Sequence, residues 1–392
     1  MPAAGVQRLK ESGFSPIIIF QQEGETMIVR NDYTQCITNV ACSIQRYFGI
    51  EPAHETLSDL DEILERKQPQ NVILILYDGM GSRILERNMP ADCFFLKNRL
   101  RDITSVFPAT TTAATTSVIC GLNPVEHGFL GWNCYIPPLD RVITLFRYRE
   151  KGHQEICQEF IDMFPSFNPK RIIDQINEKG EDAGYGVSPF MEYPYETYDE
   201  MLEKIRELAE RPGRKYMYVY DSQPDTSMHL TGPDSAETVA LIRERDEKTE
   251  QLCRQLHDAV VIVLADHGHK AVENVLLDDH PELTELMERP ASIEPRAVSF
   301  KVKDGCHGEF ERRFRDLFGE DFVLYPAEEV IKSGLFGTGK EHPYFRQQLG
   351  DYLAISYGNK CIVDGPRDVL ASQHAGYTDD EIYIPLIVIS CD

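Results

Sequence analysis

The sequence predicts an α/β protein with a mostly parallel central sheet flanked by helices and an inserted cap region. Three observations predict it. NVILILY at 71–77 and AVVIVLA at 259–265 are continuous apolar runs without alternation, as in strands buried on both faces. Amphipathic helical stretches separate such runs, giving βαβ units and a parallel sheet. The residues able to do chemistry stand directly after strand-like runs, where open parallel sheets gather their sites.

Taken in order, SPIIIF and TMIVR around the turn-rich QQEGE predict a β-hairpin over 15–30, and 33–48 carries a helical pattern. Strand 71–77 follows, then a shorter strand at Thr104–Phe107 ending at Pro108. A helix from about Thr111 to Cys120 is closed by Gly121. In Met201–Glu210, residues Met201, Leu202, Ile205 and Leu208 share one face and predict an amphipathic helix feeding strand 215–220. A long helix over 236–257 leads into strand 259–265. Residues 271–345 mix short helices, the strand-like AVSFKV and turns. They read as a cap inserted into one catalytic domain spanning 1–392, with DYLAIS returning the chain to the core and IYIPLIVIS as the last strand.

A net charge of −24 over 392 residues argues against a nucleic-acid polymer as partner, since phosphate backbones attract Lys and Arg clusters. A small anion at a metal centre remains compatible, because bound cations invert the local field. Ten cysteines without a CxxC pair read as reduced thiols of a cytoplasmic protein. MPAAGVQRLKESGF has no apolar signal region, and no apolar run approaches the roughly 18 residues of a membrane span, so no membrane partner is expected.

Six residues form the candidate metal set: Asp78, Asp225, His229, Asp266, His267 and His374. Asp78 sits in YDGMG after strand 71–77, where Gly79 and Gly81 make the turn. Asp225 and His229 are four apart in QPDTSMH, a spacing that puts both on one face of a helical turn. Asp266 and His267 follow strand 259–265 in LADHGH, with His269 ranked below His267 as a replacement for it. His374 precedes the last strand. Three carboxylates and three imidazoles make two three-ligand sites, each with an open position, as in catalytic zinc centres. Two such metals roughly 4 Å apart clamp the attacking and leaving oxygens of an in-line phosphoryl displacement. In FPATTTAATTSVICG five threonines crowd the first two turns of a helix, and N-capping explains one of them. A hydroxyl at a helix N-terminus, next to a metal, is suited to become a nucleophile. GLFGTGKE mimics a phosphate-binding loop but lacks the Ser or Thr after Lys340 and follows no strand. Cys120 and Cys134 read as packing residues.

From about Asn71 to Ile389 this order of motifs resembles the alkaline phosphatase superfamily, in its type I phosphodiesterase/nucleotide pyrophosphatase branch. The resemblance implies an alkaline-phosphatase-like fold and two zinc ions, with manganese as an alternative. It assigns Asp78, Asp266 and His267 to the metal that touches the nucleophile, and Asp225, His229 and His374 to the second. Counting from Pro108 and from Gly121 puts the nucleophile at Thr111. Asn133, one residue later than the family spacing after His127–Gly128, is the counterpart of an asparagine that donates to a phosphate oxygen. The aromatic that nucleotide-acting members often carry after the nucleophile is replaced by Thr112, Ala113, Ala114 and Thr115. Tyr135, Phe190, Tyr193 and Tyr195 are the aromatic substitutes available.

The implied activity is cleavage of phosphodiester or pyrophosphate bonds in a small phosphate ester through a phospho-threonine. The alternatives are a phosphomonoesterase or phosphomutase, for which Arg141 or Arg147 would supply the extra cation, and a phosphonate hydrolase. A sulfatase lacks its Cys/Ser-x-Pro-x-Arg motif here. A non-catalytic metal-binding module is the alternative of another class, and the intact ligand set and nucleophile weigh against it.

Overall fold

The computed structural model describes residues 31–392 and, before them, the backbone of three short strands, Gln7–Leu9, Ile17–Gln22 and Glu25–Val29. The last two pair antiparallel, as the hairpin expected over 15–30 requires. Among the described residues the central sheet has six strands. In chain order they are β1 (Asn71–Tyr77), β2 (Arg99–Thr104), β3 (Ala183–Val187), β4 (Lys215–Asp221), β5 (Ala259–Leu264) and β6 (Tyr383–Cys391).

Their spatial order is β2-β6-β5-β1-β4-β3. β5, β1, β4 and β3 run parallel, and β6 runs antiparallel to both neighbours, β5 and β2. Every residue of β1 and β5 is buried, as continuous apolar runs demand of central strands. The reversed direction of β6 has a consequence for function. The segment leading into it lies at the same edge of the sheet as the carboxyl ends of β1, β4 and β5, so His374 arrives beside the other candidates.

The two strands that the sequence shows least clearly are the two edges. β2 is RLRDIT, largely charged and half-exposed, and lies earlier than the strand expected at Thr104–Phe107. β3 is AGYGV, interrupted by two glycines. An edge strand has one neighbour and needs less apolar surface. Helices cover the sheet: Ile37–Tyr47, Thr111–Cys120, Tyr198–Ala209 and Ala236–Cys253 fall within a few residues of their expected bounds.

A second sheet of seven antiparallel strands stands beside the first. It joins Asn133–Ile136, Arg141–Thr144 and Arg149–Glu150 to Ser292–Glu294, Ala297–Phe300, Phe322–Pro326 and Tyr352–Ser356. DYLAIS therefore does not return to the central sheet; it pairs with Ala297–Phe300 and Phe322–Pro326. Its five residues are all buried, so apolarity alone could not tell which sheet would take it. A buried ion pair braces the two sheets. Arg296 meets Glu381 at 2.7 and 2.9 Å, and both side chains are fully enclosed. Among the described residues no helix is long and apolar enough to cross a membrane.

Candidate active site

Four loops meet at the carboxyl edge of the central sheet. Backbone hydrogen bonds join them: Asp225 N donates to Asp78 O, Asp78 N to Asp221 O, and Gly268 N to Glu381 O. Glycine permits the closest approach. Gly81 and Gly268 pack backbone to backbone, and a Cβ on Gly268 would overlap the Asp380 carbonyl oxygen. Gly79 adopts φ +75 in the turn after Asp78, against Met228, His269 and Asp225.

All six predicted ligands come together here. The ligand atoms of Asp78, Asp266 and His267 lie within 4.8 Å of one another, as do those of Asp225, His267, His269 and His374. His229 Nε2 is 3.3 Å from Asp225 Oδ1, and its ring stands 5.3 Å from that of His374. Asp225 and His229 share a helix, Asp225–Thr231, as their spacing required. The one addition is His269, which the sequence reading ranked below His267. It is fully buried, with Nε2 2.5 Å from Asp225 Oδ1. DHGH carried that signal, but the pattern could not say toward which ligand group the second imidazole would turn.

The threonine run starts the helix Thr111–Cys120, whose N-terminus faces this cluster. Thr111 Oγ1 lies 3.5 Å from both carboxylate oxygens of Asp78 and 3.2 Å from His267 Nε2. The other threonines divide the remaining roles. Thr110 is the N-cap by position, yet its hydroxyl donates to Glu294 Oε1 at 2.6 Å instead of capping. Thr115 and Thr116 donate to the carbonyls of Thr111 and Thr112, one turn back. N-capping therefore explains none of the side chains, and helix-internal back-bonding explains two.

The electrostatics are those of a cation site. Asp78 and Asp266 are held well above the usual carboxylate range by burial and by neighbouring carboxylates. Burial also raises Asp225, but His229, His269 and His374 around it outweigh that and hold it low. His374 falls well below the ordinary histidine value through burial, and burial takes His269 to about 4. Asp266 Oδ1 accepts from the backbone N–H of Gly79 and of His267, whereas the buried Oδ2 has no hydrogen-bond partner. His267 Nδ1 faces Gly268 O and His229 Nδ1 faces Ser372 O. A carbonyl only accepts, so each Nδ1 carries a proton and each ring turns its Nε2 toward the carboxylates. Imidazoles fixed through Nδ1–H by a backbone carbonyl are ligands prepared for a metal. The residues present could hold metal ions.

Three further residues belong to the site and carried no sequence signal. Tyr220 donates to Asp78 Oδ2 at 2.5 Å and so orients that carboxylate. Glu294, on the second sheet, is buried, and burial pushes it up to about 7 against hydrogen bonds from Thr110 and from Trp132 N. Ser372 receives His229 on its carbonyl and His269 on its hydroxyl.

Asn133 begins a strand of the second sheet, one residue after the Trp132 N–H that reaches Glu294. Its Oδ1 accepts the Thr144 hydroxyl, so what it can offer a substrate is its Nδ2 amide. Arg141 faces Glu150 and Glu159, and Arg147 stacks over Trp132. Of the aromatics, Tyr135 is held by Asp140 and Arg289, Tyr193 packs on Tyr185, and Tyr195 donates to Tyr220 O. Phe190 is exposed. The GLFGTGKE loop wraps the helix Pro124–His127: Gly337 packs on Asn123 and Gly339 on Glu126. Burial pushes the Cys120 and Cys134 thiols up to about 12, as fits packing residues.

Comparison with known proteins places these features in a lineage. Residues 72–318 match the sequence profile of the type I phosphodiesterase/nucleotide pyrophosphatase family. Ectonucleotide pyrophosphatase/phosphodiesterase family member 3 of Rattus norvegicus is 22% identical over 302 residues, covering 71% of this chain and 32% of that protein. The Mus musculus counterpart is 21% identical over 300 residues, with the same coverage. The chain thus spans about a third of the length of these relatives. Among solved structures, an inactive threonine-to-alanine form of murine ectonucleotide pyrophosphatase/phosphodiesterase 5 in complex with AMP superposes with a TM-score of 0.62 at 18% identity. That match covers 80% of this chain and 87% of the other. Phosphonoacetate hydrolase from Sinorhizobium meliloti, in complex with phosphonoformate, gives a TM-score of 0.58 at 17% identity over 82% and 90%.

Proposed function

The chain belongs to the type I phosphodiesterase/nucleotide pyrophosphatase family, and on that premise we propose that it hydrolyses phosphodiester or pyrophosphate bonds of a small phosphate ester through a phospho-threonine formed on Thr111. The observation that carries this reading is Thr111 at the N-terminus of a buried helix, 3.5 Å from Asp78 and 3.2 Å from His267. Asp78, Asp266 and His267 would hold one divalent cation; Asp225, His229 and His374 would hold the other. Zinc fits this mixture of imidazole and carboxylate, and manganese is the alternative. Bound there, the two cations would lower the pKa of the hydroxyl and neutralise charge on the phosphoryl and leaving oxygens.

The chain's own part begins with binding. The helix N-terminus presents N–H groups to the phosphate, and Asn133 Nδ2 adds a donor. Thr111 Oγ gives up its proton to solvent and forms a bond to phosphorus as the bond to the leaving oxygen breaks, and that oxygen takes up a proton from solvent. Water then attacks the same phosphorus, the bond to Thr111 Oγ breaks and that oxygen takes up a proton, and a phosphate monoester is released, with inversion at each step. Residues 271–345 act as a cap over this edge within one catalytic domain. Ten free thiols support a reducing, cytoplasmic setting.

A phosphonate hydrolase is the second reading, favoured by the structural likeness to phosphonoacetate hydrolase. The test is hydrolysis of bis-(p-nitrophenyl) phosphate against p-nitrophenyl phosphate and phosphonoacetate, with zinc added and Thr111→Ala as control. Preference for the diester, lost in Thr111→Ala, is expected. Full activity of Thr111→Ala would overturn the mechanism, and preference for another substrate would move the assignment to that class.

A further inference from the structure

We propose that His269 is a fourth protein ligand of the second cation, beside Asp225, His229 and His374. This rests on the two-cation reading above and deepens it.

The argument is an inventory of protons. The Ser372 hydroxyl is 2.6 Å from Met228 O, which can only accept, so the single Ser372 proton is spent there. His269 Nδ1 lies 3.0 Å from Ser372 Oγ and must therefore be the donor in that contact. With Nδ1 donating to Ser372, Nε2 is the ring atom left for a second partner. It points at Asp225 Oδ1 from 2.5 Å. A contact this short in a fully buried place calls for a positive charge between the two atoms, and the ligand atoms of Asp225, His267, His269 and His374, all within 4.8 Å of one another, give a metal ion the donors to supply it.

The surroundings agree. Asp225 Oδ1 is also 3.3 Å from His229 Nε2 and 3.9 Å from His374 Nε2, so three imidazoles converge on one oxygen. His374 Nδ1 is buried without a hydrogen-bond partner, and the ring stands 5.2 Å from that of His269. Ser372 orients His229 through its carbonyl and His269 through its hydroxyl, so one residue aims two imidazoles at the same point. The short pairing of Lys270–Ala271 with Ser372–Gln373 fixes this arrangement, starting one residue after His269 and ending one before His374. His267 and His269 divide between the two centres. His267 turns to Thr111 and Asp78, and His269 turns to Asp225.

A fourth protein ligand changes the chemistry of that centre. With three, a bound substrate oxygen completes a tetrahedron. With four, the site would favour ions that accept a fifth ligand.

The experiment uses the full-length protein loaded with cobalt(II) and labelled with ¹⁵N-histidine. A histidine bound to the paramagnetic ion shows a strongly shifted imidazole signal. Four shifted histidines are expected in the wild type, His229, His267, His269 and His374, with one lost in His269→Gln. Cobalt should also bind one of the two sites at least tenfold more weakly in that variant. Three shifted histidines in the wild-type protein would overturn this inference and leave the two-cation reading intact. No cobalt uptake at all would overturn both. If His269→Gln does not fold, the count on the wild-type protein decides alone.

Discussion

Replacing Arg296 with methionine tests whether the buried ion pair holds the His374 loop. Arg296 donates to Glu381 Oε1 and Oε2 at 2.7 and 2.9 Å, to Lys360 O at 2.8 Å and to Gly358 O at 3.1 Å. Glu381 is also held by Gly376 N and by the Thr378 hydroxyl and N–H. Methionine fits the volume but leaves an ionised carboxylate enclosed with only those donors. Breaking a buried pair on one side costs about 3–5 kcal/mol, whereas an exposed pair costs about 1 or less. Glu381→Gln should cost less than Arg296→Met, since the amide still accepts, and the double variant should cost less than the sum of the singles. Burial raises the Glu381 pKa, but Arg296, Thr378 and Gly376 outweigh it and hold the carboxyl below its ordinary 4.5. Its contribution is therefore present above pH 4.5 and lost as the pH falls below it, so Glu381→Gln should flatten the acid limb of the stability curve. Urea unfolding, extrapolated to water over pH 3–8, measures all of this. The loop 374–378 hangs on Glu381 through Gly376 N, and Ala375 sits at φ +76, so Arg296→Met should also weaken cation binding. A loss below about 1 kcal/mol, or strict additivity in the double variant, would refute the reasoning.

Three other outcomes are expected. Tyr220→Phe keeps the buried ring but removes the hydroxyl that orients Asp78; cation affinity, measured by competition with a chromophoric chelator, should fall about 10–100-fold, and unchanged affinity would show that Asp78 is held by other means. Glu294→Gln keeps an acceptor for Thr110 and Trp132 N but abolishes the titration. Because burial raises Glu294 to about 7, its protonated form favours the native state below pH 4.5, and that contribution is lost as the pH rises through about 7. Relative to the wild type, the variant should gain roughly 3 kcal/mol between those limits, and a constant difference would contradict the burial argument. Gly268→Ala would drive a methyl group into Asp380 O; a cost of about 1–3 kcal/mol with reduced cation uptake is expected, and a protein indistinguishable from wild type would mean that the loops do not pack this closely.

The sequence by itself determined the central strands and which carboxylates gather at the candidate site, and for the same physical reason. β1 and β5 are buried on both faces, so they must be continuously apolar, and such runs are unmistakable. Parallel strands deliver the residues that follow them to one edge, so Asp78, Asp225 and Asp266 could be brought together without any knowledge of the loops. His229 followed from helical spacing, and Thr111 from the family resemblance, counted from Pro108 and Gly121.

Other features were decided only in three dimensions. β2 and β3 are edge strands whose stability comes from a single neighbour, so their residues need not be apolar. The second sheet pairs 133–150 with 292–356, a contact between distant segments that local pattern does not encode. The antiparallel direction of β6 is what carries His374 to the ligand edge. Tyr220, Glu294, Ser372 and the Arg296–Glu381 pair act on the site through single hydrogen bonds from other elements. His269 shows the limit most sharply. Its imidazole is plain in LADHGH, but which way it turns depends on one serine hydroxyl more than a hundred residues away, and on the carbonyl to which that hydroxyl gives its proton.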